Sequence, residues 1–170
     1  MKKIAFIFTL ISGMLFLQNC TGPEGPRGPQ GFPGPASEVF EVTGSFTTNN
    51  DYTINVPLNP AIYNSDVVLV YELSGVVGGN TDVWKPLPAV YYLNDGRDLR
   101  YFFDFTRNDV QIYLDVIDPG FDIPDPYRIN KTFRIVIVPG YFSLDGIDTS
   151  NINAVMHALS LTSDSIQLLD

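Results

Sequence analysis

The amino-acid sequence predicts an all-β fold for residues 37–170, an antiparallel β-sandwich with one short C-terminal helix. Three observations support this prediction. Short segments alternate apolar and polar residues with a period of two, residues such as Gly, Pro, Asn and Asp separate these segments, and one segment near the end has helical spacing. Short strands punctuated in this way are typical of two packed antiparallel sheets.

Several segments of the chain have the strand pattern. The clearest are 99–106 and 110–116, whose tight connection through residues 107–109 predicts a hairpin with one apolar face and one mixed face. Segment 66–73 is dense in β-branched and aromatic residues and is expected to end at a turn over 75–80. The predicted strands in order are 39–47, 52–56, 66–73, 89–93, 99–106, 110–116 and 132–138.

The helix is predicted to begin after the tripeptide Asp148-Thr149-Ser150, whose side chains suit an N-cap. Apolar residues then recur at helical spacing, and they are Ile152, Val155, Met156 and Leu159. The last segment, 165–169, is either an edge strand or a tail.

Residues 1–19 have the pattern of a secretory signal peptide. Lys2 and Lys3 precede an apolar run over 4–17, which is shorter than the roughly 20 residues that a transmembrane helix needs. Cleavage is therefore expected between Asn19 and Cys20. A retained membrane helix is the alternative.

Cys20 ends the tetrapeptide Leu17-Gln18-Asn19-Cys20, which resembles the lipobox of bacterial lipoproteins. The resemblance implies that Cys20 carries fatty acyl chains such as palmitate and becomes the mature N-terminus. Because Cys20 is the only cysteine, the chain forms no internal disulfide, and an unpaired thiol is the alternative. Several acyl chains would anchor the protein firmly in the bacterial outer membrane.

Residues 20–36 contain a collagen-like stalk after the cysteine. Five Gly-X-Y triplets run from Gly22 to Ala36 with proline in every one, and strict glycine periodicity of this kind is typical of collagen. Two assemblies stay open, a monomeric polyproline-II spacer and a homotrimeric triple helix. At about 3.1 Å per residue, the triplets reach roughly 45 Å in either case.

The charge of the chain excludes some partners. Once residues 1–19 are removed, 8 Lys+Arg stand against 19 Asp+Glu, a formal net charge of −11. Such a chain repels phosphate groups, so nucleic acid and anionic lipid headgroups are disfavoured as partners. Residues 37–170 are enough for a single domain.

The tracts FFDFTRNDVQIYLDV, FRIVIVPG and INAVMHAL, together with the signal peptide, lipobox and stalk, resemble the collagen-like lipoproteins of Bacteroidetes-type bacteria. The resemblance covers nearly the whole chain. It implies a location and an order of parts, and it supplies no catalytic residue.

No catalytic set is recognised in the residues. His157 is the only histidine and is expected to be an exposed helical side chain, so a zinc site built on several histidines is excluded. The chain is therefore expected to be a lipid-anchored, non-enzymatic envelope or surface protein with a structural or adhesive role. One alternative is a hydrolase that uses Asp104 and Asp115 on adjacent strands.

A second alternative is a lectin-like module that binds a glycan or a protein. Aromatic rings stack on the apolar faces of sugars, and the candidate ligand contacts are Trp84, Tyr91 and Tyr92. Calcium is the one cofactor that the sequence suggests, because Asp118, Asp122 and Asp125 lie in one loop and calcium prefers several carboxylate oxygens. A solvated acidic loop explains the same residues.

Overall fold

The computed structural model describes residues 37–116 and 122–169. The predicted signal peptide, Cys20, the stalk and Asp118 lie outside these residues. The described chain forms two β-sheets and one short helix, which confirms the prediction of an all-β sandwich with a C-terminal helix.

Nine strands follow one another along the chain: β1 (Glu38–Gly44), β2 (Thr53–Pro57), β3 (Val67–Val77), β4 (Thr81–Pro86), β5 (Ala89–Tyr92), β6 (Asp98–Phe105), β7 (Asp109–Val116), β8 (Lys131–Val138) and β9 (Ile166–Leu169). Helix α1 (Ile152–Ala158) lies between β8 and β9, and three single 3-10 turns cover Thr48–Asn50, Asp125–Tyr127 and Ser163–Ser165.

The strands divide into a five-stranded sheet with the order β4-β3-β8-β1-β9 and a four-stranded sheet with the order β2-β7-β6-β5. All pairs are antiparallel except β1 with β9, which run parallel. The fully antiparallel arrangement that the sequence predicts is therefore wrong at this one edge. The segment 165–169 is an edge strand rather than a tail.

The inner faces of the two sheets enclose the main core. Leu99 and Tyr101 from β6 and Ile112 from β7 face Phe133 and Ile135 from β8, and all five are fully buried. Because β strands alternate their side chains between faces, the apolar residues at alternate positions of the predicted hairpin meet the other sheet. Full burial of one such large apolar side chain stabilises the folded state by about 1.5–3 kcal/mol.

Helix α1 covers the opposite face of the five-stranded sheet and makes a second core. Val136 and Val138 alternate with the inward residues of β8 and pack against Val155 and Met156 of the helix. The second half of β8 is buried on both faces, and its residues 135–138 are all apolar, as is typical of strands covered on two sides.

The end of β3 and the start of helix α1 differ from prediction. β3 does not end before residue 75 but extends to Val77, into the segment where a turn was expected. It has a bulge between Leu73 and Gly75. Its partner there is β4, a strand that the sequence did not predict. Asn151, rather than the preceding tripeptide, caps the helix by accepting hydrogen bonds from the backbone of Asn153 and Ala154.

Candidate functional site

The outer face of the four-stranded sheet carries an aromatic pair. Phe102 of β6 and Tyr113 of β7 are direct cross-strand partners. Their rings stack with centroids 5.9 Å apart and planes 23° from parallel, and both residues are half-buried. The pair offers a flat apolar patch at the middle of the face, of the kind on which a planar ligand stacks.

Polar pairs flank the aromatic pair on both sides. The cross-strand pair Asp104–Gln111 lies two residues from the aromatic pair on one side. The cross-strand pair Arg100–Asp115 lies two residues from it on the other side. All four residues share the outer face because side chains alternate with a period of two. We call these six residues the aromatic face; they are Arg100, Phe102, Asp104, Gln111, Tyr113 and Asp115.

Arg100 gives the aromatic face a fixed positive charge. Its Nη2 donates to the Oδ2 atom of Asp98 at 2.6 Å and its Nε donates to the same oxygen at 3.2 Å. These hydrogen bonds, and then the negative charge of Asp98, raise the pKa of Arg100 above its ordinary value. A carboxylate, an amide and a guanidinium therefore surround the aromatic patch, and each forms hydrogen bonds with hydroxyl groups.

The three predicted ligand contacts lie on different surfaces. Tyr92 is 84% exposed on the outer side of β5, beside the aromatic face. Tyr91 points inward and donates to Glu72 at 2.7 Å. Trp84 lies in β4, on the helix side of the five-stranded sheet, with the guanidinium of Arg134 4.0 Å from its ring centroid. The three residues therefore do not form one platform.

The predicted carboxylate pair is not brought together. Asp104 is opposite Gln111 and Asp115 is opposite Arg100, so the two carboxylates are four residues apart along the sheet, about 13 Å. Catalytic carboxylate pairs of glycosidases are about 5–9.5 Å apart. The register therefore removes the geometry on which the hydrolase hypothesis depended.

Two of the three loop residues proposed for calcium, Asp122 and Asp125, lie in the described part of the chain. Asp122 is exposed, and Asp125 pairs with Arg128 at 2.5 Å. Within residues 37–116 and 122–169, no group of three or more His, Cys, Asp or Glu side chains is placed to hold a metal ion. His157 is exposed in the last turn of α1, as predicted.

A buried polar cluster lies on the inner side of the five-stranded sheet. Glu72 of β3 is fully buried between the sheets, where its carboxylate accepts from Tyr91 and pairs with Lys131 at 2.8 Å. Tyr101 packs edge-on against Tyr91 and donates to the carbonyl oxygen of Tyr127. Burial, and then Glu72, raise the pKa of Tyr91 and of Tyr101.

The sequence contained a signal for Glu72 and for Phe102. Val68, Val70 and Glu72 alternate along one face of a segment that is otherwise apolar, so the period of two places a carboxylate in the core. Phe102 is the aromatic residue on the polar side of its predicted strand. Pairing Phe102 with Tyr113 needs the register of the hairpin, which the alternation alone does not give.

Comparisons with protein-family models, with curated proteins and with solved structures found no match for this chain. In the part of the chain that the structure describes, no helix has the length and apolar character needed to cross a membrane.

Proposed function

We propose that this protein is a lipid-anchored component of the bacterial cell envelope that displays a non-enzymatic β-sandwich with an adhesive role on a short collagen-like stalk. The order of parts in the sequence carries the proposal. A basic and apolar leader covers residues 1–19, Cys20 and five Gly-X-Y triplets follow, and strand β1 begins at Glu38, two residues after the last triplet.

The adhesive surface in this proposal is the aromatic face, and its ligand is a glycan. The stacked Phe102 and Tyr113 supply a flat apolar patch, and the hydrogen-bonding side chains of Arg100, Asp104 and Gln111 border it. Sugar rings combine an apolar face with a rim of hydroxyl groups, so they suit a patch of this composition.

A glycan array probed with the mature protein in detergent tests the adhesive role. We expect binding to a subset of glycans and a loss of at least tenfold in affinity for Tyr113→Ala, because the stacking surface is halved. Tyr63→Ala is the matched control, since Tyr63 is an exposed tyrosine outside the aromatic face. A blank array, or an equal loss in both variants, would contradict glycan binding.

The anchor has a separate test. Mass spectrometry of the protein from native membranes should find a chain that begins at Cys20 and carries fatty acyl groups. A chain that retains residues 1–19 with an unmodified thiol would contradict the anchor and leave the glycan result untouched.

A further inference from the structure

Lysine is rare in this chain, and its placement is unusual. After residue 3 the sequence contains two lysines, Lys85 and Lys131, and both lie beside Glu72. Lys85 is the cross-strand partner of Glu72, and its Nζ lies 4.1 Å from the centroid of the Tyr91 ring. The Lys131 Nζ lies 2.8 Å from Oε1 of Glu72.

The Lys131–Glu72 contact is withdrawn from solvent. The side chain of Lys131 is 13% exposed and that of Glu72 is 1% exposed. Tyr101 borders the pair, with the Lys131 Nζ 5.8 Å from its ring centroid. An ion pair in such surroundings loses the hydration of both charges, and this loss can exceed the attraction between them.

The two oxygens of Glu72 have different partners. Oε2 accepts a hydrogen bond from the Tyr91 hydroxyl at 2.7 Å. Oε1 has no hydrogen bond within the described residues, and the group in contact with it is the Lys131 ammonium, whose Nζ lies 2.8 Å away. A buried acceptor without a hydrogen bond is destabilising. Because Oε1 is bonded to the carboxyl carbon, Cδ, the contact brings the lysine nitrogen to the atom next to the one with which it would react.

We infer that Lys131 and Glu72 are the site of an intramolecular isopeptide bond, which links β8 to β3. A proton first passes from the Lys131 ammonium to Oε1, giving an amine and a carboxylic acid. The Nζ atom then attacks Cδ, so the N–C bond forms. A second proton passes from Nζ to the hydroxyl at Oε1, the Cδ–Oε1 bond breaks, and water leaves. The reaction consumes no oxidant, reductant or co-reactant.

The surrounding residues favour this condensation. Holding the two groups in contact replaces a bimolecular encounter with a reaction inside the folded chain, which is equivalent to an effective concentration of roughly 10⁵–10⁸ M. Tyr91 donates to Oε2, the oxygen on which negative charge develops during the attack. The product is a neutral amide, so two buried charges disappear, and the dry site opposes the reverse hydrolysis.

Peptide mapping of the full mature chain after denaturation and trypsin digestion tests the bond. Trypsin cuts after arginine and after free lysine, but not between Lys85 and Pro86, so Glu72 lies in a peptide covering 28–97. If the bond is present, cleavage after Lys131 fails, and peptide 129–134 is joined to peptide 28–97 with the loss of one water mass. We expect this branched peptide as the main product.

Two variants identify the nitrogen. Lys131→Arg keeps the positive charge but lacks the amine, and we expect it to give separate peptides and to melt at a lower temperature than the wild type. Lys85→Arg is the matched control and should keep the branched peptide. If Lys131→Arg does not fold, the tryptic peptides of the wild type alone show whether the bond is present. Separate peptides 129–131 and 132–134 as the main wild-type products, or a branch at Lys85, would overturn the inference.

Discussion

Gly140 shows how closely two connections of the sandwich approach. A Cβ atom at this position would lie 2.3 Å from the Cβ atom of Ser65 and 2.4 Å from the Ser65 carbonyl oxygen. The adjacent buried Asp66 fixes the approach, because its Oδ1 accepts from the Gly140 backbone at 3.1 Å and its Oδ2 accepts from the Tyr63 backbone at 2.9 Å. The segment before β3 is thereby joined to the turn after β8.

Gly140→Ala is therefore expected to destabilise the protein by about 1–3 kcal/mol, since backbone atoms must move to relieve the contact. Urea unfolding followed by circular dichroism measures this change. Gly75→Ala is the control, because a Cβ atom there meets no atom within 4 Å. Equal stability of the Gly140 variant and the wild type would show that the two connections separate easily.

Two buried tyrosines, Tyr71 and Tyr101, and the half-buried Tyr91 make the stability sensitive to alkali. Burial, with a smaller contribution from Asp148, raises the pKa of Tyr71 from 10.0 to about 12, and its hydroxyl donates to the Thr149 carbonyl oxygen at 2.7 Å. Tyr91 and Tyr101 have raised pKa values through burial and Glu72. The folded state therefore holds these protons more tightly than the unfolded state does.

The sign of the pH dependence follows from these shifts. The stabilisation is complete below pH 10 and is lost as the pH rises from 10 through about 12, so the free energy of unfolding should fall over that interval. Ionisation of Tyr71, followed by tyrosinate absorbance, is expected to accompany the loss of the β-sheet circular dichroism signal. In Tyr71→Phe, the free energy of unfolding should fall less steeply over the same pH interval. Ionisation of Tyr71, Tyr91 and Tyr101 near pH 10 with the fold intact would contradict this account.

Helix α1 is seven residues long, too short to be stable alone, so its apolar face and its cap decide whether it forms. The Oδ1 atom of Asn151 accepts from the Asn153 backbone at 3.0 Å and from the Ala154 backbone at 3.4 Å. Asn151→Ala should lower the free energy of unfolding by about 1 kcal/mol.

Thermal melts of Asn151→Ala and of Asn153→Ala measure the contribution of the cap. Asn153 is an exposed residue inside the helix, where alanine has a higher helix propensity. We expect the first variant to melt at a lower temperature and the second to melt at the wild-type temperature or above it. The same loss in both would show that packing alone holds the helix.

Strands with a clear apolar face could be predicted from the sequence, and a strand without one could not. The alternation over 99–106 and 110–116 reflects one buried and one open face, which the register confirms. β4 has exposed or half-buried side chains throughout, because it is an edge strand that extends beyond the core. Its sequence therefore shows no alternation of apolar and polar residues, and only its pairing with β3 identifies it as a strand.

The candidate sites were less predictable than the strands for a related reason. The sequence indicates which face a side chain is on, whereas a site depends on which residues meet across strands. Tyr91 and Tyr92 are neighbours in sequence but lie on opposite faces of β5, and Asp104 and Asp115 share a face but not a position along it. Cross-strand register, which long-range packing decides, supplies the missing information.

At the scale of the whole molecule, the strand nearest the stalk in sequence lies inside its sheet. β1 has β8 on one side and β9 on the other, so a force that reaches the head through residue 37 acts on a strand bonded along both edges. β8 is the neighbour that β1 and β3 share. The covalent bond inferred between β8 and β3 would therefore pass part of the force from β1 on to β3. The proposed adhesive head on its predicted stalk would benefit from this order of strands.

The predicted stalk decides whether one head or three would act together. A triple helix must order the backbones of three chains, at roughly 1–2 kcal/mol per residue, while five triplets provide few interchain hydrogen bonds. We therefore expect a protein that begins at Thr21 to sediment as a monomer, both with and without residues 22–36. Gly28→Ala is the sharper variant, since it places a Cβ atom at the crowded axis of a triple helix but leaves a polyproline-II spacer intact. A threefold mass that this substitution or the deletion abolishes would establish the trimer instead, and glycan binding would then gain from multivalency in proportion to the effective concentration of the second and third heads.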